Sequence, residues 1–213
     1  MSDERIALLR ERLRGVLPGH DRFLALSGYK RLDLERAMAL DPPARESAVL
    51  VLFFRSTGTW NCLLMVRPTY DGVHSGQVAF PGGKREPADP SLMHTALREF
   101  AEETGMPTTT VEVLGPLTPV YIPPSRMLVT PFVGVVEGPV RWRPDEHEVA
   151  RLIEVPVSEL LRADILQRKE QYIQIMGRAV EIPYFALDGE TVWGATALMI
   201  AELRELLLPH SQA

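Results

Sequence analysis

Two continuous apolar runs dominate the first half of the chain. Ala48–Phe54 and Cys62–Arg67 both have the length of a strand, and the polar stretch Ser56–Asn61 lies between them. This arrangement predicts two buried strands joined by a hairpin loop. Further strands are predicted around Gln77–Phe80, at Val111–Leu114, Met127–Val136 and Arg151–Val155, and in a hairpin from Tyr172 to Leu187 that turns near Met176–Arg178.

Apolar residues at helical spacing mark three other segments. An amphipathic helix is predicted over residues 3–16, and Pro18-Gly19 shortly after it prevents its continuation. A shorter helix is predicted over Leu32–Leu40. A long amphipathic helix is predicted at Val192–Leu208. Runs of strands interrupted by a few helices are typical of an α/β (α+β) fold, in which a mixed sheet carries helices on its faces.

Composition bounds the domain organisation and the partners. The chain has 213 residues, 46% of them hydrophobic, which is enough for one sizeable core. Asp41-Pro42-Pro43 predicts a boundary between an N-terminal helical extension, residues 1–43, and a single domain, residues 44–213. A net charge of −5 argues against a nucleic-acid-binding surface, and no apolar run is long enough to span a membrane. Because Cys62 is the only cysteine, no intramolecular disulfide can form, and we expect a cytoplasmic protein.

An acidic helix carries the most informative chemistry. It is predicted to begin after Pro90 or Ser91, with Ser91 as a favourable N-cap that follows the negative Asp89, and to stop at Gly105 before Pro107. At 100° per residue its carboxylates Glu99, Glu102 and Glu103 share one narrow face. Such like-charged pairs each cost about 0.2–0.5 kcal/mol, and Arg98, four residues before Glu102, offsets part of that cost.

Closely spaced carboxylates suit a hard divalent cation, so the face predicts a site for Mg²⁺ or Mn²⁺. The alternative is an ordinary solvated helix face, which is the commoner fate of such acids. The Gly82-Gly83 pair directly upstream favours the site, because glycines let a ligand approach the main chain closely.

These residues resemble a known family. The segment Gly83–Met106 resembles the Nudix box, G-x5-E-x7-R-E-U-x-E-E-x-G-U with U aliphatic, and Arg98–Met106 matches its second half except that Phe100 is aromatic. The first half departs from it: fourteen residues separate Gly83 from Arg98, one more than in the motif, and Glu86 and Asp89 are the nearby acids. This longer spacing, together with the Asp-x-Ser pattern of Asp89 and Ser91, resembles the coenzyme A pyrophosphatase branch of the family.

The segment before the box extends the resemblance. That branch carries a motif close to L-L-x-x-R-S/A-x3-R-x3-G-x3-F-P-G-G, which Leu63-Leu64, Arg67, Gly76 and Phe80–Gly83 match, whereas Pro68 and Gly72 depart from it. His74–Phe80 resembles its H-x-G-Q-x-x-F version, and Trp193–Ala197 resembles a W-G-x-T-A helix opening. For Trp193 alone, a core or capping aromatic is the simpler interpretation. The resemblance implies a Nudix-like α/β/α sandwich.

The resemblance also implies a set of site residues. Glu99 and Glu103 are expected to bind the metal, with Glu102 as a further ligand or as the base and the Gly83 carbonyl completing the shell. Arg98 is expected to orient Glu102. Phosphate contacts are expected from Arg67, His74, Lys84 and Arg85, although each cation could equally be a solvated surface residue and His74 a structural histidine. Glu146 or Glu148 could supply a late base or ligand, against the alternative of a solvated loop.

The implied activity is metal-dependent hydrolysis of the diphosphate of coenzyme A, or of its derivatives, to 3′,5′-ADP and 4′-phosphopantetheine or its acyl form. Loss of the motif arginine at Gly72 keeps a second substrate class open, namely other nucleoside diphosphates such as ADP-ribose, NADH or a dNTP. A non-catalytic nucleotide-sensing domain is a third alternative. The expected partner is a small molecule, with neither nucleic acid nor membrane, and a homodimer is left open.

Overall fold

The structure is a computed structural model that describes residues 3–28, 32, 34–56, 58–69, 75–173 and 176–208. Within these residues the chain forms six α-helices and eleven strands. The helices are α1 (Asp3–Arg12), α2 (Asp21–Leu24), α3 (Leu34–Met38), α4 (Leu92–Thr104), α5 (Val157–Leu160) and α6 (Gly194–Leu207). The strands are β1 (Arg45–Ser56), β2 (Thr59–Val66), β3 (Val78–Ala79), β4 (Gly82–Lys84), β5 (Glu112–Pro116), β6 (Val120–Ile122), β7 (Met127–Val136), β8 (Arg151–Pro156), β9 (Leu166–Ile173), β10 (Arg178–Leu187) and β11 (Glu190–Val192).

A mixed sheet forms the centre of the molecule. Its main path is β3-β2-β1-β7-β5, with β4 paired to β1, β6 to β7 and β8 to β2. Strand β1 runs parallel to β7 and antiparallel to β2. A second, three-stranded sheet has the order β11-β10-β9. The predicted α/β fold with a mixed sheet is confirmed.

Helices cover both faces of the central sheet because β1 is apolar on both sides. Its even-numbered side chains from Ala48 to Phe54 pack in one cluster with Ala96 and Phe100 of α4. Its odd-numbered Val51 and Phe53 belong to a second cluster, which contains most of α6 and the apolar face of α1. The result is the three-layered α/β/α arrangement.

The N-terminal helix is part of this second cluster. Ile6, Leu9 and Leu13 are buried there, and Arg12 Nη1 donates to the Leu206 carbonyl at 2.9 Å, at the end of α6. The division into an extension, residues 1–43, and a domain, residues 44–213, stays a prediction, but the two segments share one hydrophobic core.

Several element bounds differ from the sequence predictions. The Gly82-Gly83 pair forms the short strand β4 and not only a turn, because its backbone pairs with β1. The predicted hairpin begins at Leu166 and not at Tyr172; the first half of β9 is polar and exposed, so its pairing with β10 leaves no apolar signal. The last helix begins at Gly194, since Val192 ends β11. None of the described helices is long and apolar enough to cross a membrane.

Candidate active site

Local sequence sets the ends of α4. Ser91 is the N-cap, and its hydroxyl accepts a hydrogen bond from the His94 backbone N–H at 3.4 Å. Gly105 takes a left-handed conformation, φ 66°, and its N–H donates to the Ala101 carbonyl. Both helix ends therefore lie where the sequence predicts them.

Strand β4 lies directly against the acidic face of α4. The Gly82 N–H donates to Glu103 Oε2 at 2.7 Å. At Gly83, a Cβ atom would lie 2.4 Å from the Glu99 carboxyl carbon, which is far inside van der Waals contact. The absence of a side chain at Gly83 therefore lets the Glu99 carboxylate approach the main chain of β4.

The three carboxylates have different environments, although they share one face. The Glu103 residue is 1% exposed, the Glu99 side chain 15% and the Glu102 side chain 54%. The Glu103 carboxylate lies against β4, and a loop also covers the end of α4, where the Arg143 N–H donates to the Thr104 carbonyl at 2.8 Å. In the same contact the Asp145 N–H donates to the Glu103 carbonyl at 3.2 Å.

Burial changes the proton affinity of two of these acids. It raises the pKa of Glu103 to about 8, although the Gly82 N–H and the positive charge of Arg67 oppose the increase. Burial also raises the pKa of Glu99, and Arg98 opposes it there. The protein alone therefore disfavours the charged form of both groups, and a bound cation would stabilise that form.

Arg98 is the centre of a network beside these acids. Its Nε and Nη2 each donate to one oxygen of Asp89 at 3.0 Å, and its Nη1 donates to Glu102 Oε2 at 2.9 Å. Nη2 also contacts the Lys84 carbonyl at 3.2 Å and a Glu99 oxygen at 3.1 Å. Arg98 therefore joins three carboxylates and the end of β4, and the predicted contact with Glu102 is present.

Asp89 is the partner that the sequence did not reveal. Besides Arg98, it accepts the Thr95 hydroxyl and the Glu86 N–H, each at 2.9 Å. The Arg98 guanidinium holds the pKa of Asp89 well below its usual range. The sequence identified Asp89 only as a nearby acid and a favourable charge at the helix start, because the irregular loop before Ser91 hides the pairing.

The donor set suits a divalent cation in its chemistry. Among the described residues no three His, Cys, Asp or Glu side chains are grouped as a metal site. The fit therefore rests on Glu99 and Glu103, two largely buried oxygen donors whose charged forms a cation would stabilise, beside the Gly83 main chain. Arg98 contacts both Glu99 and Glu102, and of the three acids Glu102 is the most exposed. The ligand roles of all three stay predictions. Of the two loop acids, Glu148 lies close enough to raise the pKa of both Glu99 and Glu103.

The predicted phosphate contacts have different positions. Arg67 lines a cavity beside β4, and its positive charge lowers the pKa of Glu103. Lys84 is exposed, and Arg85 forms an ion pair with Glu46 at 2.7 Å; neither lines the cavity. His74 lies outside the described residues, as does Gly72. The substrate-binding roles of all four basic residues stay predictions.

The cavity has a volume of about 410 Å³ and lies on the α6 face of the central sheet. Ser47, Arg67, Gly82 and Gly83 line it where it meets the acidic helix. Its remaining wall comes largely from distant segments, namely Leu32, Met127, Ile173, Met176, Trp193 and Met199. Trp193 is both the residue before α6 and part of this wall. Sequence reasoning missed the cavity because no local motif brings these segments together.

Comparisons with known proteins agree with this geometry. The NUDIX domain family matches residues 44–175. The chain is 34% identical over 189 residues to the Nudix hydrolase NudL of Yersinia pestis, covering 89% of this chain and 88% of that protein. It is 38% identical over 143 residues to NudL of Yersinia enterocolitica, covering 67% and 72%.

Among solved structures, a Nudix hydrolase from M. smegmatis, RenU, is similar in fold. The TM-score is 0.52 at 21% identity, with 80% of this chain and 91% of that chain covered. Acidic helix, glycine strand and sequence relatives together lead to one conclusion: the chain belongs to the Nudix family.

Proposed function

We propose that this Nudix protein hydrolyses the diphosphate linkage of coenzyme A, or of a coenzyme A derivative, to 3′,5′-ADP and 4′-phosphopantetheine or its acyl form. The observation that carries the hydrolase function is the pair Glu99 and Glu103, held against Gly82-Gly83 beside a cavity that Arg67 lines. The coenzyme A substrate is supported by the Leu63–Gly83 motif and by the extra residue before Arg98.

Glu99 and Glu103 would hold Mg²⁺ or Mn²⁺, together with the Gly83 carbonyl. A bound divalent cation neutralises the charge of a diphosphate and lowers the pKa of a coordinated water. The Gly83 carbonyl already accepts the Ser47 hydroxyl at 2.6 Å, and this hydrogen bond fixes its direction. A carbonyl oxygen has a second lone pair, so the contact leaves it able to take a further partner.

The other residues position and neutralise the substrate. Arg98 holds Glu102 at 2.9 Å, and the half-exposed Glu102 carboxylate can accept a proton from an attacking water. Arg67, at the junction of cavity and acidic helix, would contact a phosphate oxygen. Because Asp89 holds the Arg98 fork at two points, Glu102 has a defined position before substrate binds.

The test is a substrate panel. Purified protein is incubated with coenzyme A, ADP-ribose, NADH and dNTPs in Mg²⁺ or Mn²⁺, and the products are separated by chromatography. We expect coenzyme A to have the highest kcat/KM and chelation by EDTA to abolish turnover. Turnover of ADP-ribose or a dNTP well above that of coenzyme A would contradict the substrate assignment and leave the hydrolase assignment intact.

A matched pair of variants tests the reaction itself. Glu103→Gln removes the buried carboxylate with little change of shape, and we expect loss of turnover with the fold retained. Glu181→Gln is the control, since Glu181 lies on β10 in an exposed ion pair with Arg168. If Glu103→Gln turned over as fast as the control, Glu103 would have no part in the mechanism.

Gly72, which stands where the related motif has arginine, favours a second substrate class. This alternative is a nucleoside diphosphate linked to a group other than phosphopantetheine, and the same panel separates the two. A non-catalytic sensing domain is the weaker alternative because Glu99, Glu102 and Glu103 are all present.

A further inference from the structure

The cavity is continuous with the candidate active site. Ser47, Arg67, Gly82 and Gly83 belong to both. Its volume, about 410 Å³, is within the range of about 300–1,000 Å³ that small-molecule sites occupy. A diphosphate bound at Gly82-Gly83 would therefore have one of its two substituents beside this cavity.

The cavity is polar at one end only. Arg67 is the one charged side chain among the described residues that line it. Thr196 also lines it, but the Thr196 hydroxyl already donates to the Val78 carbonyl at 3.0 Å. Gln77 also lines the cavity, next to Arg67, whose backbone N–H donates to the Gln77 carbonyl at 3.0 Å. Away from this end the wall is mainly apolar, so hydrogen-bonding groups such as a base edge or ribose hydroxyls would lose their water partners there without replacement.

The apolar wall is also adaptable. Met127, Met176 and Met199 reach it from β7, the β9–β10 turn and α6. Methionine is unbranched and has three rotatable side-chain bonds, so it adjusts to irregular apolar shapes better than to flat, hydrogen-bonding ones. The pantetheine arm carries two amides and a hydroxyl, but they are spaced along a flexible chain whose methyl and methylene groups can contact such a wall, whereas a purine with its sugar is flat and rigid.

We infer that the cavity binds the phosphopantetheine half of the substrate, with its phosphate at Arg67 and Gly82-Gly83 and its flexible arm along the wall formed by Met127, Met176 and Met199, the methionine wall. The inference rests on the proposed function and goes beyond it, because it assigns one half of the substrate to one cavity. The nucleotide half then lies outside the cavity, and side chains of the methionine wall determine the affinity for the arm.

Inhibition by each half of the substrate tests this assignment. The Ki of 4′-phosphopantetheine and that of 3′,5′-ADP are measured against coenzyme A hydrolysis in Mg²⁺, for wild type and for Met176→Gln. Met176 is partly exposed at a hairpin turn, so the variant should fold. Met38→Gln is the control, since Met38 is 66% exposed on α3 and does not line the cavity. Met127→Gln on β7 is a second variant at the same wall.

We expect the wall variants to raise the Ki of 4′-phosphopantetheine at least about fivefold, because the new glutamine amide must lose its water partners when the arm binds against it. The Ki of 3′,5′-ADP should not change. The control should change neither. An increase for 3′,5′-ADP alone, an equal increase for both halves, or no change in either would overturn the assignment.

Failure of the proposed reaction can be distinguished from failure of the cavity assignment. If coenzyme A is not hydrolysed, calorimetric titration with 4′-phosphopantetheine replaces inhibition. Binding that Met176→Gln weakens and Met38→Gln does not would uphold the cavity assignment without the reaction. Absence of binding to wild type would overturn it. If coenzyme A is hydrolysed but the wall variants bind both halves normally, only the cavity assignment fails.

Discussion

Glu103→Gln should change the pH dependence of folding stability as well as activity. In wild type the Glu103 carboxyl is almost fully buried, and burial raises its pKa from the ordinary 4.5 to about 8. The folded protein therefore binds this proton more tightly than the unfolded chain does. The contribution of Glu103 to the free energy of unfolding is therefore most favourable below pH 4.5, and it is lost as the pH rises from there through 8. Glutamine keeps an acceptor for the Gly82 N–H and has no charge to desolvate.

The size of the effect follows from the two pKa values. A change in pKa from 4.5 to about 8, at about 1.4 kcal/mol for each tenfold change in proton affinity, corresponds to about 5 kcal/mol. This is a ceiling, because the surrounding structure relaxes around a buried charge. For a domain of this size, about 5 kcal/mol corresponds to a change of about 10–20 °C in melting temperature.

The assay is thermal unfolding of metal-free wild type and Glu103→Gln in EDTA at intervals from pH 5 to pH 9. The difference between the two proteins isolates Glu103 from the other acids. We expect the variant to become progressively more stable than wild type above pH 5, with the larger part of the difference developed by pH 8. Parallel curves across this range would refute the reasoning, because they would show that burial of Glu103 has no electrostatic cost.

Added Mg²⁺ or Mn²⁺ gives an independent readout. A cation bound by the folded state alone raises stability by about 2.7 kcal/mol at 100 times its Kd. At pH 8 we expect this stabilisation in wild type and not in the variant. Equal stabilisation of both proteins would place the metal away from Glu103.

Three further predictions follow from single contacts. Gly83→Ala places a Cβ 2.4 Å from the Glu99 carboxyl carbon, so the carboxylate must move; we expect kcat/KM to fall at least about 100-fold with an unchanged circular dichroism spectrum, and near-normal kcat/KM would contradict the close approach. Arg98→Lys cannot donate two parallel hydrogen bonds to a carboxylate, so kcat should fall more than KM changes in steady-state kinetics; a change in KM alone would contradict its positioning role. Leu9→Ala should lower the free energy of unfolding by about 2–5 kcal/mol in urea titrations, since Leu9 is fully buried, whereas the exposed Val16→Ala should not; equal effects would show that α1 is not part of the core.

Local chemistry explains what the sequence predicts well. The ends of α4 are determined by Ser91 and Gly105, whose effects act within one turn of the helix. Strands β1 and β2 are similarly clear because their apolar runs are continuous. The acidic face itself needs only helical geometry, which the sequence supplies.

Long-range contacts explain what the sequence missed. Nothing near Glu103 predicts its burial, which depends on β4 and on a loop some forty residues further along the chain. The pairing of Arg98 with Asp89 spans an irregular loop that has no periodic pattern. The cavity depends on segments from Leu32 to Met199, so no window of sequence contains it.

The position of β4 between the acidic helix and the cavity has a wider consequence. Gly82 donates to the Glu103 carboxylate of α4 and, with Gly83, also lines the cavity beside α6. Met176, Trp193 and Met199 lie beyond the residues that match the Nudix domain. Part of the cavity wall is thus encoded outside the segment that carries the acidic helix. Under the proposed assignment of the cavity, exchanging these three residues would change the substrate preference and leave the hydrolytic residues unaltered.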